Sequence, residues 1–518
     1  MNTHPLRIKP CAAAILTGLL PLLVAGCAVG PNFKRPAPPP VSGYTAAPLT
    51  PAASTQGVIA GNVQHFAVGR KVAGAWWTLF RSRPLDRLIN LAIAHNSDLK
   101  AAQAALRVAQ ETERAQLGAF FPSAALGFSA SRNRGSVLLA PVPANNAVLY
   151  DLFTPEVTVS YTPDVFGLNR RTAESLAAQT QSARFEMVAT YNTLVGNVVV
   201  TAIQLATLDA QISATHKLVA MNRRMANILK YQFEKGYASG VDYAAQKSQL
   251  AGVAAMLPPL QKQRAQLHDL LAVLIGRYPA QESKYGITLS SLALPGSIPL
   301  SLPSQLVRQR PDIRQAEANL HAASAQIGVA IANMLPNIQL TASAGNAAIG
   351  FNKLFTPGTD FWDLGAALTA PIFQGGALLH QERAARAAYR EAAAQYRSTV
   401  LTAFQNVADT LAALQQDAEG LRAAAAAQRA TTTTFRLISR QERDGYANTL
   451  ALLNAEQAYQ QAQINLVQAE ANRFADTAAL FQALGGGWWN RADVSPQAAA
   501  SGPSSITDFL VPTAAQSP

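Results

Sequence analysis

Apolar positions along this chain follow two different periods, and the period changes at prolines. From about Leu168 to Lys235 there is no proline, and Leu194, Val198, Ala202, Leu205, Leu208 and Ile212 recur three or four residues apart. That spacing keeps them on one face of an α-helix. A helix over 168–235 would be about 100 Å long at 1.5 Å per residue, far beyond the usual length of about 11–12 residues. Upstream, Leu88, Leu91, Leu99, Ala102 and Leu106 predict a helix over 85–119, stopped by Pro122. The stretch "ALGFSAS" then alternates, with Ala125, Gly127 and Ser129 on one face and Leu126, Phe128 and Ala130 on the other. "PEVTVSYTP" alternates again, bringing Val157, Val159 and Tyr161 together. Both read as strands. After the long helix, "GYASGVD" turns the chain, with Asp242 as the expected N-cap. A return helix over 241–276 is expected to bend at Pro258 and Pro259.

The pattern occurs twice. "NSDLKAAQAAL" at Asn96 resembles "RPDIRQAEANL" at Arg310, and Asp98 and Asp312 lie 214 positions apart. Pro122 and Pro336 keep that offset, while Pro163 and Pro371 differ by 208. Gly236 and Gly445 differ by 209, as do Gly276 and Gly485. Order and register are kept, so the chain reads as a tandem duplication with one longer loop in the first copy. The second copy predicts a helix over 311–335, strands near 337–344 and 362–370, a long helix over 377–443, a turn at Gly445 and a return helix over 449–484.

Composition narrows the class. Of 518 residues only 14% are charged, against roughly 25% in ordinary soluble proteins. The hydrophobic share is 49% and the mean hydropathy is near zero, which excludes both a disordered chain and a bundle of membrane helices. The net charge is +12, but Lys and Arg are scattered singly rather than gathered into a stripe with stacking aromatics, so nucleic acid is not the expected partner. Arg7 and Lys9 precede the apolar run "CAAAILTGLLPLLVAG", the layout of an export signal. Val24-Ala25-Gly26-Cys27 resembles a bacterial lipobox, which implies cleavage between Gly26 and Cys27 and a lipid on the Cys27 thiol. Cys11 would leave with the signal, and no internal disulfide would then be possible. Ala28, rather than Asp, follows the cysteine, and that implies the outer membrane.

Strands of about 9–11 residues are long enough to cross a bilayer at a tilt. Aromatic residues mark both ends: Phe120, Phe121, Tyr161, Phe166 and Phe373 at one level, Tyr150, Phe153, Phe355, Phe361 and Trp362 at the other. Four strands cannot close a barrel, and an open edge in lipid leaves backbone groups unpaired at several kcal/mol each. Three chains would supply twelve strands and leave a lumen, whereas two would supply a barrel filled by its own side chains. Gln339, Thr341 and Ser343 would face the lumen, and Ile338, Leu340 and Ala342 the lipid.

"GCAVGPNFKRP", "WWTLF" from Trp76, and "LPSQLVRQRPDIRQAEANLHAASAQIGVAIANMLPNIQLTASAG" from Leu302 resemble the outer-membrane efflux channels of tripartite drug pumps, in particular their lipid-anchored branch. The likeness covers about residues 27–488. It implies a mainly α fold with a membrane β-barrel portion: a homotrimer with a twelve-stranded barrel on a long periplasmic helical tunnel. Extended segments around 45–75, 277–303 and 485–500 would form a small equatorial domain. The expected organisation is a signal peptide over 1–26 and a lipid-anchored extended segment over 27–74. A first repeat spans 75–290, with its strand pair in 122–163. A connector covers 291–310. The second repeat spans 311–488, with its strand pair in 336–371, and a disordered tail covers 489–518.

The same resemblance implies passive exit of small toxic compounds, driven by an inner-membrane transporter through a periplasmic adaptor. Gly236, Tyr237, Gly240 and Asp242, with Gly445 and Tyr446, match the family's turns at the adaptor-facing tips. Family channels narrow near those tips, where this chain reads "FRLISRQERD". Leu437 would form an apolar ring, and Glu442 or Asp444 an acidic one. Ser439 stands where some relatives carry an acid. Solvated helix-end charges are the alternative for these acids. A channel for type I protein secretion and a structural periplasmic coiled-coil lipoprotein are the alternative functions. No enzyme, cofactor or metal is expected: the seven histidines fall in no ligand spacing, no Gly-rich loop joins a strand to a helix, and the duplicated tubular plan offers no paired carboxylates.

Overall fold

The computed structural model describes residues 28–134, 149–281 and 285–491. The signal segment with Gly26 and Cys27, the loop residues Gly135, Asn145 and Asn146, and the tail from 492 onward lie outside the described residues. In chain order the helices are α1 (Arg83–His95), α2 (Ser97–Leu117), α3 (Leu168–Glu234), α4 (Gly240–Ala255), α5 (Leu257–Leu274), α6 (Pro303–Gln309), α7 (Pro311–Ala332), α8 (Ala377–Arg443) and α9 (Thr449–Ala483). The strands are β1 (His65–Val68), β2 (Ser123–Arg134), β3 (Leu149–Tyr161), β4 (Ser297–Leu300), β5 (Asn337–Asn346) and β6 (Asp360–Thr369). Helices α3 and α8 each run for 67 residues.

Contacts divide the chain into two compact units. One comprises residues 1–36, 106–183 and 316–396 and holds an antiparallel sheet in the order β2-β3-β5-β6. The other comprises 37–105, 184–315 and 397–518 and holds the C-terminal parts of α3 and α8 with their return helices. Its core gathers Trp76, Phe80, Phe474 and Phe481: Trp76 stacks on Phe481 at 5.2 Å, and Phe80 packs against Phe474 at 6.2 Å. Arg473 is fully buried beside them. Its guanidinium donates to Gln64 Oε1 at 2.8 Å and to the carbonyl of Asn62 at 3.3 Å, pinning the extended 45–75 region to α9.

Several expected boundaries move. The helix expected over 85–119 is two helices. Asn96 leaves helical geometry, its Oδ1 accepts the Leu99 amide at 2.9 Å, and its Nδ2 donates to the Leu274 carbonyl at 3.1 Å. An asparagine offers the backbone an alternative to the helical ladder, and here it both ends α1 and caps α2. The return helix of the first copy is likewise two helices, separated at Met256, with the prolines in the first turn of α5 where a missing N–H costs nothing. The helix expected to end at Leu335 ends at Ala332. Four strands were expected, but six are present among the described residues: β1 and β4 pair in parallel, joining the 45–75 and 277–303 segments. Asp242 is not the N-cap of α4. Ser239 is, and Asp242 completes a capping box from the third helical position.

Candidate functional site

The register of the four-stranded sheet sorts its side chains by polarity. Ser123, Ser160, Thr341 and Gly365 form one cross-strand row, and Ala125, Thr158, Ser343 and Asp363 the next on the same face. Between them, on the opposite face, lies Ala124, Val159, Ala342 and Leu364, and then Leu126, Val157, Ala344 and Trp362. Successive rows point to opposite faces because strand side chains alternate. The period-2 alternation of four separate strands thus adds up to one polar and one apolar face. Among the described residues nothing covers the apolar face, with Leu126 83% and Leu364 72% exposed. The outer strands β2 and β6 each have one edge without a partner strand among the described residues.

Directly below the sheet in the same unit, the N-terminal segment is clamped. The Val29 amide donates to the Phe166 carbonyl at 3.1 Å. Gly167 lies so close to Ala28 that a Cβ there would sit 2.6 Å from the Ala28 Cα. Arg171, in the first turn of α3, donates to the Val29 carbonyl at 2.9 Å, to Gly30 at 3.2 Å and to Asn32 Oδ1 at 2.8 Å. Phe33 stacks on His321 at 4.3 Å, and His321 pairs with Glu174 at 2.9 Å. Burial by itself would raise the Glu174 carboxyl. The hydrogen bonds from His321 and Arg171 outweigh it and hold the group below the usual carboxylate range. Ala28 is therefore fixed at the junction of β3 and α3, and Cys27 is its neighbour in sequence.

The two hairpin turns of the other unit match bond for bond. Tyr237 N donates to the Gln232 carbonyl at 2.7 Å and Tyr446 N to the Gln441 carbonyl at 2.8 Å. Gly236 and Gly445 take φ of +77° and +80°, the left-handed step that ends each long helix. Tyr237 is 82% exposed and Tyr446 86%. Gly240, by contrast, has ordinary φ, and a Cβ there would lie 3.3 Å from the Phe233 ring, close enough that the ring would have to shift slightly. Each return helix then has its own cap, Ser239 in α4 and Asn448, which accepts the Ala451 amide at 2.8 Å, in α9.

The residues expected at a constriction do not share one face of α8. Leu411, Leu414, Ala418, Leu421 and Ala425 are buried at alternating steps of three and four, a coiled-coil seam. Continued downward, the same register passes through Phe435, which stacks on Tyr459 of α9 at 5.4 Å, and then through Ser439 and Glu442. Leu437 is exposed off the seam. Asp444 lies past the end of α8, 3.9 Å from Arg440.

The family described as outer membrane efflux protein matches the chain over residues 88–277 and 302–486. The chain belongs to the outer membrane efflux protein family. Among its relatives, the toluene efflux pump outer membrane protein TtgF of Pseudomonas putida is 28% identical over 495 residues, covering 95% of this chain and 98% of TtgF. The outer membrane protein VceC of Vibrio cholerae has the same fold with a TM-score of 0.73 at 26% identity, over 81% of this chain and all of VceC. The outer-membrane channel OprN reaches a TM-score of 0.79 over 89% of this chain and all of OprN, at 24% identity.

Two buried acidic sites of this efflux-family chain were not anticipated. Glu456 of α9 is fully buried and accepts hydrogen bonds from Asn222 of α3 and from Gln460 at 3.2 Å. Gln246 of α4 in turn donates to Asn222 Oδ1 at 2.9 Å, so one network joins three helices near the turns. Burial pushes the Glu456 carboxyl up to about 7, against the lowering effect of its two amide donors. Higher on the same hairpin, Asp476 of α9 is pushed up to about 7, first by burial and then by Asp417 of α8 beside it. A pair of carboxylates is therefore present where none was expected. Their sequence signal is slight: Glu456 and Gln460 stand four apart on an Ala-rich helix, and Asp417 and Asp476 are 59 positions apart.

Proposed function

We propose that the chain is the outer membrane channel of a tripartite efflux pump, in which three copies close one twelve-stranded barrel around a pore. The observation that carries this reading is the four-stranded sheet with an uncovered apolar face, a polar opposite face and two open edges. In lipid each unpaired edge group costs several kcal/mol, so identical chains must complete the sheet edge to edge. The apolar rows then meet lipid, and the Ser, Thr, Glu156 and Asp363 rows line the lumen. The tandem duplication accounts for the two 67-residue helices and their matching turns.

Transport through such a pore is passive, and the energy comes from an inner-membrane transporter joined through a periplasmic adaptor. Tyr237, Asp242 and Tyr446, with Gly236, Gly240 and Gly445 shaping their turns, form the adaptor-facing tips. Ser439 and Glu442 lie on the seam side of α8, where movement of the hairpins would change the bore. Leu437 and Asp444 narrow the opening only from other faces. Cys27 carries the lipid, a reading supported by the Arg171 clamp on the Val29 and Gly30 carbonyls just after it in sequence. The uncovered two-faced sheet favours a channel over a periplasmic rod, which would have no use for it.

Reconstitution tests the reading. The purified protein should run as a heat-sensitive, detergent-resistant trimer and give discrete ion conductance in planar bilayers. A monomer, or a trimer that passes no ions, would overturn it.

A further inference from the structure

Helices α3, α5 and α9 leave a groove of about 400 Å³ between them. Its floor is apolar: Ile203 and Leu208 of α3, Leu267 of α5, and Ala471 and Ala475 of α9. Amides stand around that floor. Gln211 donates to Gln468 Oε1 at 3.4 Å, and Gln468 donates to Asn472 Oδ1 at 2.9 Å. Gln204, Gln263 and Gln266 make no side-chain hydrogen bond among the described residues. None of the lining side chains is ionisable. An apolar floor with a few convergent polar groups, at this volume, is the make-up of a binding groove. Helix α5 is the reason for the space. It runs for 18 residues but buries only Leu271 and Ala272, near its C-terminal end. Gln263 and Gln266 are exposed, and Leu270, 46% exposed, extends the same face by a turn. Helices in proteins are held mainly by the packing of one face, so this stretch of α5 lacks a partner.

The chain carries a segment of matching chemistry. Residues 492–518 are mostly Ala, Ser, Pro, Thr and Gln, with one cluster of large apolar residues: Ile506, Phe509, Leu510 and Val511. Ser505-Ile506-Thr507-Asp508 repeats the spacing of Ser239 and Asp242, which form the capping box of α4. The same signal at Ser505 predicts a short helical turn, closed by Pro512. Ile506, Phe509 and Leu510 then share one face at steps of three and four. Reach is sufficient. Arg491 hydrogen-bonds the Tyr191 hydroxyl of α3, and Asn490 donates to the Val72 carbonyl at 2.6 Å, so the start of the tail is fixed. From Tyr191 the groove begins at Gln204 and ends at Gln211, about 20–30 Å along the same helix. The stretch from Arg491 to Ile506 spans up to about 50 Å when extended.

We propose that the groove between α3, α5 and α9 is the docking site for this chain's own C-terminal tail, with Ile506, Phe509 and Leu510 seated on its floor. Anchors at i, i+3 and i+4 entering an apolar groove are a recurrent mode of peptide capture. The free amides of Gln204, Gln263 and Gln266 supply donors and acceptors for peptide groups at the ends of the docked turn. A neutral groove suits this segment, whose backbone offers the same amide chemistry. Tethering favours the pairing further, because a linker of this length holds the turn near the groove at an effective concentration of about a millimolar. The tail expected to be disordered would then carry one ordered anchor that covers α5. The proposal does not rest on the channel reading, since both partners belong to one chain.

Disulfide trapping in the full-length protein tests this, in detergent and in a Cys27→Ala background. Gln263→Cys with Phe509→Cys should cross-link within one chain at least tenfold faster than Ser213→Cys with Phe509→Cys. Ser213 is exposed on α3 beside the groove but does not line it. Ile506→Asp with Leu510→Asp should bring the Gln263 pair down to the control rate, and these changes lie in the tail, where they leave the helices untouched. Ala475→Trp, which fills the groove, should do the same. In a chain truncated after Arg491, Gln263→Cys should react with a maleimide at least tenfold faster than in the full-length chain. Equal cross-linking at Gln263 and Ser213, or a rate indifferent to the two aspartates, would overturn the proposal. A disulfide joining two subunits would overturn it too, by giving the groove to a second copy. So would a Gln263→Cys thiol that stays protected after truncation, because something other than the tail would then cover it.

Discussion

Arg171 donates to the carbonyl of Val29 at 2.9 Å, so the first turn of a 67-residue helix holds the backbone two residues beyond the expected lipid anchor. Arg171 is itself almost fully buried. Its replacement by alanine leaves the carbonyls of Val29 and Gly30 without a donor and should cost about 1.5–3 kcal/mol locally. Amide hydrogen exchange over residues 28–34 should accelerate while the helices stay protected. Unchanged protection there would remove the clamp from the picture. Cys27→Ala, exported on a cleavable signal, should still insert as trimers, because the proposed barrel would hold the membrane without acyl chains.

Glu456 gives a signed pH dependence. Its carboxyl is raised in the folded chain from 4.5 to about 7, because burial disfavours the charge. Between those values the unfolded chain has lost the proton and the folded one keeps it, so stability falls as pH rises from about 4.5 to about 7 and stays low above. The full swing is on the order of 3 kcal/mol. Glu456→Gln should flatten that part of the profile and stabilise the hairpins at pH 8, as read by thermal melts of helical circular dichroism. A variant with the parental slope would show that the slope arises elsewhere.

The two faces of the sheet predict opposite tolerances. Leu364 lies mid-strand on the apolar face, and Arg in its place should cost about 2–4 kcal/mol of membrane stability. Ser343, its near neighbour on the polar face, should accept Arg with the trimer intact and cation conductance reduced. Gel mobility and single-channel recording distinguish the two. The reverse outcome would exchange lumen and lipid.

Glycines separate by backbone geometry. Gly236 at φ +77° should lose about 1–2 kcal/mol on replacement by alanine, and Gly445 likewise. Gly252 lies inside α4 with open space around its Cα, and alanine there should add about 0.5–1 kcal/mol. Melting temperatures of the three variants should therefore move in opposite directions.

Local periodicity was enough to find the long helices and the four strands of the larger sheet, because side-chain spacing within one element depends only on its own rise per residue. The glycines at 236 and 445 were legible as turns for the same reason: few other residues take a positive φ. The breaks at Asn96 and Met256 were harder to place. A side chain that can either extend a helix or cap the next one is decided by what lies beside it, here the Leu274 carbonyl for Asn96.

What the sequence determined by itself was therefore the inventory: two long amphipathic helices, four alternating strands and paired turns. Which strands neighbour one another, and so the merging of four alternations into one polar and one apolar face, came only from tertiary pairing. The same holds for the Asn222–Glu456 link, the Asp417–Asp476 pair and the Arg171 clamp, whose members are 234, 59 and 142 positions apart. Period is a property of one element and can be read along the chain. A buried charge acquires its partner and its proton affinity only when another element closes over it.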